Sequence, residues 1–303
     1  DLESHGWQSV NSERISAAFQ NHLYQGQEFA VTNRFRPFVL AVVALAVSVS
    51  AGNAERWSPP QDVEFRSEQD GSAQRYVELL PEPFDPAQEA HLLIGLHGHG
   101  SDRWQYVRQE RGECRGARDV ALKHGMIFLS PDYRAPDSWM GPAAAADLVQ
   151  IIREARARHR LGCVVLGGGS MGGTSALIFA ALHPELVAGV VSQNGTANLI
   201  EYERFQDSIR RWYGGTKEQR PDEYRKRSPE FAADKFTMPI ALTTGGRDML
   251  VPPESVLRLA KQLEKSNPAM LLLHRENGGH ATDYDDTVRA YEFVVQRVLA
   301  AKK

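Results

Sequence analysis

Cysteine is scarce in this 303-residue chain: Cys114 and Cys163 are the two present, too few for a disulfide scaffold or a four-cysteine zinc site. Whether the pair could bridge is left open by the sequence. A surplus of positive charge is also missing. With 35 Lys and Arg against 38 Asp and Glu the formal charge is −3, so there is no basic field to attract phosphate, and nucleic acid is not an expected partner. Repeats, low-complexity tracts and heavy Pro or Gly bias are lacking too, which excludes collagen-like, coiled-coil and disordered chains. Long apolar runs are absent: the most apolar stretch, residues 38–47, falls short of the roughly 20 residues that a bilayer span needs. What is there, 42% hydrophobic and 24% charged residues, suits a folded body of one large domain.

The first 33 residues, from Asp1, are polar with no sustained apolar period. They are expected to be unstructured, or to be upstream read-through before a true start near Val31. Residues 34–54 then read as a secretory signal peptide. Arg34-Phe35-Arg36-Pro37 gives the positive flank, residues 38–47 the short apolar centre, and Ser48-Val49-Ser50-Ala51-Gly52-Asn53-Ala54 the small-residue end. A buried helix is the alternative. Cleavage is expected after Ala51 or Ala54, no cysteine follows to take a lipid, and the mature protein is expected to be secreted or periplasmic without a stable membrane anchor.

Residues 55–303 form the expected catalytic domain. Residues 62–65 and 76–79 alternate polar and apolar around Gln69-Asp70-Gly71-Ser72, the pattern of an antiparallel hairpin. Short continuous apolar runs follow at 91–96, 126–130, 163–166, 187–191, 240–244 and 270–273. Stretches of helical period at 143–158, 174–183, 253–263 and 287–299 lie between or after them. Strands apolar on both faces, alternating with helices, predict an α/β fold: a mostly parallel central sheet with helices on both faces and an N-terminal antiparallel hairpin. Residues 196–237 are longer and more polar, carry Tyr202, Phe205, Trp212 and Tyr213, and are expected to form a lid-like insertion.

The sharpest local signal is Gly168-Gly169-Ser170-Met171-Gly172, directly after the 163–166 strand and before the 174–183 helix. This is the G-x-S-x-G nucleophile elbow in its strand-turn-helix setting. The turn is so tight that side chains beside the serine would strike neighbouring backbone, hence the glycines. From Gly167 the same residues also fit G-x-G-x-x-G loosely, but late in the domain rather than in its first βα unit, and no Lys follows as a phosphate-binding loop requires.

A serine hydroxyl needs a base, and the base an orienting carboxylate. Downstream, the 240–244 strand runs into Gly245-Gly246-Arg247-Asp248 and the 270–273 strand into Asn277-Gly278-Gly279-His280. Asp248 is therefore the candidate acid and His280 the candidate base, with Glu254, Glu276 and Asp283 as alternative acids. Asp283, with Asp285 and Asp286, fits better as an acidic start to the last helix. The oxyanion donors are expected to be the backbone N–H groups of Met171 and of His99, in His97-Gly98-His99-Gly100 after the 91–96 strand. Tyr133, Trp139 and Trp212 are candidate substrate-binding side chains. A rival reading takes His97-Gly98-His99-Gly100-Ser101-Asp102 as a zinc site like the H-x-H-x-D-H run of metallo-β-lactamase-like hydrolases. Ser101 stands where that run has Asp, and Asp102 where it has His.

With these residues in hand, the chain from about Tyr76 resembles the α/β-hydrolase superfamily. Within it, the likeness is to prolyl-oligopeptidase-like serine hydrolases and to secreted esterases of the feruloyl-esterase and polyhydroxybutyrate-depolymerase type. Leu96-His97-Gly98, Ser130-Pro131-Asp132-Tyr133-Arg134, Gly169-Ser170-Met171-Gly172-Gly173, His183-Pro184-Glu185 and Trp212-Tyr213-Gly214-Gly215 carry it. So do Arg227-Ser228-Pro229 after Tyr224, Gly246-Arg247-Asp248 before Val251-Pro252, and Gly279-His280. The resemblance implies the α/β-hydrolase fold, the triad Ser170, Asp248 and His280, and no cofactor. The residues before Tyr76 are too few for the propeller of prolyl oligopeptidases, which favours esters over peptides. The expectation is an exported serine hydrolase of small-molecule or polymer-borne carboxylic esters. The alternatives are a peptidase with the same triad, a zinc hydrolase using His97 and His99, and a non-catalytic binding protein.

Overall fold

In chain order the described residues, 56–301 of this computed structural model, begin with β1 (Arg56–Trp57), β2 (Gln61–Arg66), β3 (Ala73–Leu79), β4 (Pro81–Glu82) and β5 (Ala90–Leu96). Next come α1 (Gln105–Arg108), α2 (Gly112–Lys123), β6 (Ile127–Pro131), α3 (Pro142–Arg158), β7 (Leu161–Gly169), α4 (Met171–Leu182) and β8 (Gly189–Gln193). The chain continues through α5 (Gln206–Tyr213), α6 (Pro221–Lys226), β9 (Ile240–Gly245), α7 (Glu254–Leu263), β10 (Met270–Arg275) and α8 (Tyr284–Ala300). The expected leader at 34–54, and the residues before it, lie outside the described residues.

Eight strands form one sheet in the order β10-β9-β8-β7-β5-β6-β3-β2. The six strands from β10 to β6 run parallel, while β3 joins β6, and β2 joins β3, antiparallel. This is the mostly parallel sheet with an N-terminal hairpin that the sequence predicts. The hairpin turn is wider than a two-residue Asp-Gly turn: Ser67 N–H donates to Ser72 O (2.9 Å) and Gly71 N–H to Ser67 O (2.7 Å). Asp70 Oδ1 accepts from both the N–H and the hydroxyl of Ser72. β1 and β4 make a separate two-stranded antiparallel pair.

Successive side chains of a strand point to opposite faces, and both faces are covered. Leu92, Ile94 and Leu96 enter one core with residues of α3, α4 and α7, whereas Leu93 enters the other with residues of α2 and α8. The same split separates Val164 and Leu166 from Val165, and Ile240 and Leu242 from Ala241. α4 is apolar around most of its circumference because it is enclosed: Leu177, Ile178 and Phe179 have no exposed surface, each stabilising the fold by about 1.5–3 kcal/mol through burial. α8 begins at Asp283, whose carboxylate accepts the Asp286 N–H at 2.8 Å as an N-cap. The 196–237 segment holds α5, α6 and a 3₁₀ run, and it buries Ile209, Tyr213 and Tyr224 in the first core.

Parallel strands bring their C-terminal ends to one edge, so the loops after β5, β7, β9 and β10 meet there. That edge is where open α/β sheets bind ligands.

Candidate active site

Ser170 occupies the turn between β7 and α4 with φ 58° and ψ −120°, a left-handed conformation that costs a non-glycine residue about 1–3 kcal/mol. Its neighbours explain how the turn survives. A Cβ on Gly172 would stand 2.0 Å from Leu96 O, and one on Gly168 2.6 Å from the same atom. Only residues without a side chain let the elbow approach the end of β5 so closely. Ser170 N–H donates to Gln193 O at 2.8 Å, tying the turn to β8.

His280 and Asp248 come to this serine from the ends of β10 and β9. His280 Nε2 is 2.9 Å from Ser170 Oγ, and its Nδ1 is 2.7 Å from Asp248 Oδ2. Asp248 is a buried acceptor and stays charged, so the tautomer that fits carries its proton on Nδ1 and leaves Nε2 to accept from the serine hydroxyl. The second oxygen of Asp248 accepts the N–H groups of Leu250 (2.9 Å) and Val251 (2.8 Å). Burial opposes the carboxylate's charge, but the hydrogen bond from His280 and those two amides outweigh it and hold its pKa below the ordinary aspartate value. The glycines before Asp248 have a physical role as well: a Cβ on Gly245 would fall 2.2 Å from Gly279 O, so the acid loop and the histidine loop touch backbone to backbone.

Three supporting residues carry no sequence signal. Asn194, at φ 48°, donates from Nδ2 to Gly279 O (3.2 Å) and accepts the Thr282 hydroxyl at 2.6 Å. Glu113, on α2, accepts the Thr282 N–H at 3.0 Å. Together they grip both sides of His280. Asn, Thr and Glu are common residues, and only their convergence from β8, α2 and the β10–α8 loop marks them.

Beside Ser170 and His280 lies a cavity of about 510 Å³, lined also by Gly98, His99, Gln105, Arg111, Phe205 and Leu250 among others. The main-chain amides around it are unequal in their commitments. Gly98 N–H donates to Gln105 Oε1 (2.8 Å), Gly100 N–H to Pro136 O (2.8 Å), and Met171 is the first residue of α4, where an N–H has no intrahelical acceptor. The His99 ring packs on Phe205, with centroids 4.2 Å apart, and its Nδ1 accepts the Trp139 indole N–H at 3.2 Å. Burial lowers its pKa against the opposing pull of Asp137, so it forms a neutral wall.

The three side chains expected to touch substrate stand elsewhere. Tyr133 is buried and donates its hydroxyl to His97 O at 2.6 Å; Trp139 is fully buried behind His99 and Phe205. Trp212 donates its indole N–H to Asp137 Oδ1 at 2.9 Å and packs over Gly141. None of the three is among the residues that line the cavity; Tyr133 packs on His97 and Trp139 on His99 and Phe205, and Phe205, from the 196–237 segment, takes the position at the cavity. The zinc arrangement does not form either: the buried His97 ring has Nδ1 2.9 Å from Gly98 O and Nε2 3.2 Å from Asp132 O, and Asp102 caps the Trp104 N–H. Among the described residues no three His, Cys, Asp or Glu side chains converge as ligands would. Cys114 is a buried free thiol on α2, so it makes no bridge to Cys163.

Residues 133–298, more than half of the chain, match the prolyl oligopeptidase family. Among curated protein sequences no significant match is found. Of solved structures, a protein described as a dipeptidyl aminopeptidase IV from Bacteroides ovatus is similar with a TM-score of 0.64 and 16% identity over 80% of this chain, which spans 36% of its length. The fluorophosphonate-binding serine hydrolase F of Staphylococcus aureus gives 0.61 and 18% over 79% of this chain and 98% of its own. The S-formylglutathione hydrolase of the same organism gives 0.59 and 18% over 80% of this chain and 100% of its own. The α/β-hydrolase architecture is common to them, and the chain is a serine hydrolase belonging to the prolyl oligopeptidase family.

Proposed function

We propose that the protein is an exported hydrolase of carboxylic esters that works through Ser170, His280 and Asp248. The observation that carries this reading is the unbroken line of hydrogen bonds from Asp248 Oδ2 through the His280 ring to Ser170 Oγ, at 2.7 and 2.9 Å, beside an open cavity. In the first step His280 Nε2 takes the proton of Ser170 as the serine oxygen attacks the ester carbonyl carbon. Charge moves to the carbonyl oxygen, where the N–H groups of His99 and Met171 stabilise it. Collapse expels the alcohol, which receives its proton from His280, and leaves an acyl-serine. Water, deprotonated by the same imidazole, then attacks the acyl carbon and frees the acid and the serine. Asp248 keeps His280 in the working tautomer and stabilises its cation in both halves of the reaction.

The ester reading draws support from the structural likeness, over 80% of this chain, to a protein described as a thermostable esterase. Export rests on the leader pattern of residues 34–54. The test is steady-state turnover of acetyl, feruloyl, longer acyl and peptide substrates by the wild type and by Ser170→Ala. The serine variant is expected to lose about 10⁶ in kcat on every substrate the wild type cleaves, with esters ahead of peptides. Unchanged turnover by Ser170→Ala, or peptides cleaved while all esters are refused, would contradict the proposal.

A further inference from the structure

The cavity beside Ser170 contains two charged side chains that acyl transfer does not use, Arg111 and Glu113. They are exposed to very different degrees: the Glu113 side chain is 6% exposed and that of Arg111 48%. Glu113 is held by two partners and lies beside Gly169. Its Oε1 accepts the Thr282 N–H at 3.0 Å, its Oε2 lies 2.9 Å from Arg111 Nη2, and a Cβ on Gly169 would come within 3.4 Å of that same oxygen. The guanidinium held by Glu113 is thus moored close to the residue that precedes the nucleophile. The guanidinium faces Glu113 through one nitrogen and also interacts with the buried Cys114 thiol, while the half-exposed remainder of its N–H donors is left towards the cavity.

Neighbouring arginines are engaged elsewhere. Arg108 stacks on Trp104 with its guanidinium carbon 3.8 Å from the ring centre, Arg115 pairs with Asp119 at 3.4 Å, and Arg118 is buried on Tyr106 O, Gln109 O and Glu110. Ser101, Gln105, Gln109, Phe205 and Leu250 in the cavity lining carry no charge, and burial and the Trp139 N–H that it accepts disfavour protonation of the His99 ring. A fixed positive charge is therefore presented to the cavity, with its counter-charge buried behind it. A planar guanidinium anchored on one edge suits a second carboxylate on the other, by paired charge-assisted hydrogen bonds.

We propose that Arg111 is a specificity-determining residue that binds a carboxylate of the substrate, so that the preferred esters carry an acid group on the acyl or the alcohol side of the scissile bond. This rests on the reading of Ser170 as the nucleophile. The experiment compares kcat/KM for two acid-bearing esters with their neutral methyl-capped partners. These are 4-nitrophenyl hydrogen glutarate, acidic on the acyl side, and 4-acetoxybenzoate, acidic on the alcohol side. Each is measured with the wild type, Arg111→Gln, Arg111→Lys and Ser170→Ala.

The wild type is expected to prefer at least one acid over its methyl-capped partner, and the pair that shows it identifies the side. Arg111→Gln should cut that preference about tenfold or more, mainly through KM, and Arg111→Lys should restore part of it. In the wild type the preference should shrink between about 0.05 and 0.5 M salt, since the charge is half exposed. Equal losses on acid and neutral esters would overturn the proposal and leave the Arg111–Glu113 pair as a tie for the histidine loop. A wild type with no preference for either acid, a measurement independent of any variant's folding, would overturn it too. Turnover of all esters by Ser170→Ala would sink the nucleophile reading and this one with it, whereas an inactive Ser170→Ala beside an unchanged acid preference in Arg111→Gln would sink this one alone.

Discussion

At the scale of single residues, the site depends on how Asp248 keeps its charge. A carboxylate whose folded-state pKa is depressed stabilises the fold at every pH above the ordinary value, about 3.9 for aspartate, and that contribution disappears as the pH falls through the lower folded-state value. The stability difference between the wild type and Asp248→Asn should therefore shrink as the pH falls below about 4. Urea unfolding over that range checks this, and a difference that grew on acidification would contradict the assigned environment of Asp248. The same substitution should lower kcat by about 10⁴ through loss of the working tautomer. Ser170 could be located from the sequence because its chemistry demands glycines at fixed offsets. Asp248 and His280 could be located because each closes a strand in the order the nucleophile requires. Asn194, Glu113 and Thr282 could not, since what makes them important is a meeting of helix α2 with the loops after β8 and β10.

At the scale of elements, the elbow between β7 and α4 is a packing problem solved by glycine. Gly172→Ala would place a methyl carbon 2.0 Å from Leu96 O. Two backbones would have to separate, at a cost of about 3 kcal/mol or more. Gly71→Ala, at φ +74° with nothing within 4 Å of the new carbon, meets only the left-handed strain of about 1–2 kcal/mol. Chemical denaturation of the two variants should show the first clearly the less stable; equal losses would mean that the elbow tolerates side chains. The strands were legible because continuous apolar runs such as 91–96 have few other stable fates. α2 was missed: its sequence, Gly112 to Lys123, mixes Arg, Glu and Gly into the apolar period, and the helix is held by packing against α8 through Ala117, Val120, Ala290 and Val294. Trp139 misled for a related reason, since an aromatic side chain after a strand reads alike whether it lines a cavity or braces the wall behind one.

At the scale of the whole molecule, the sheet order puts the ends of β5, β7, β9 and β10 on one edge. Each contributes one part of the proposed acyl-transfer site, and no single segment holds more than one of the proposed triad residues. The 196–237 segment adds Phe205 to the cavity from a base of buried residues, among them Ile209, Tyr213 and Tyr224. If Ser170 is activated by this convergence, a fluorophosphonate probe should attach once, on Ser170, as read by intact mass and peptide mapping. It should leave Ser170→Ala unmodified and react far more slowly with His280→Ala. Active wild-type protein that stays unlabelled, or that carries the probe on another residue with Ser170 untouched, would contradict the account.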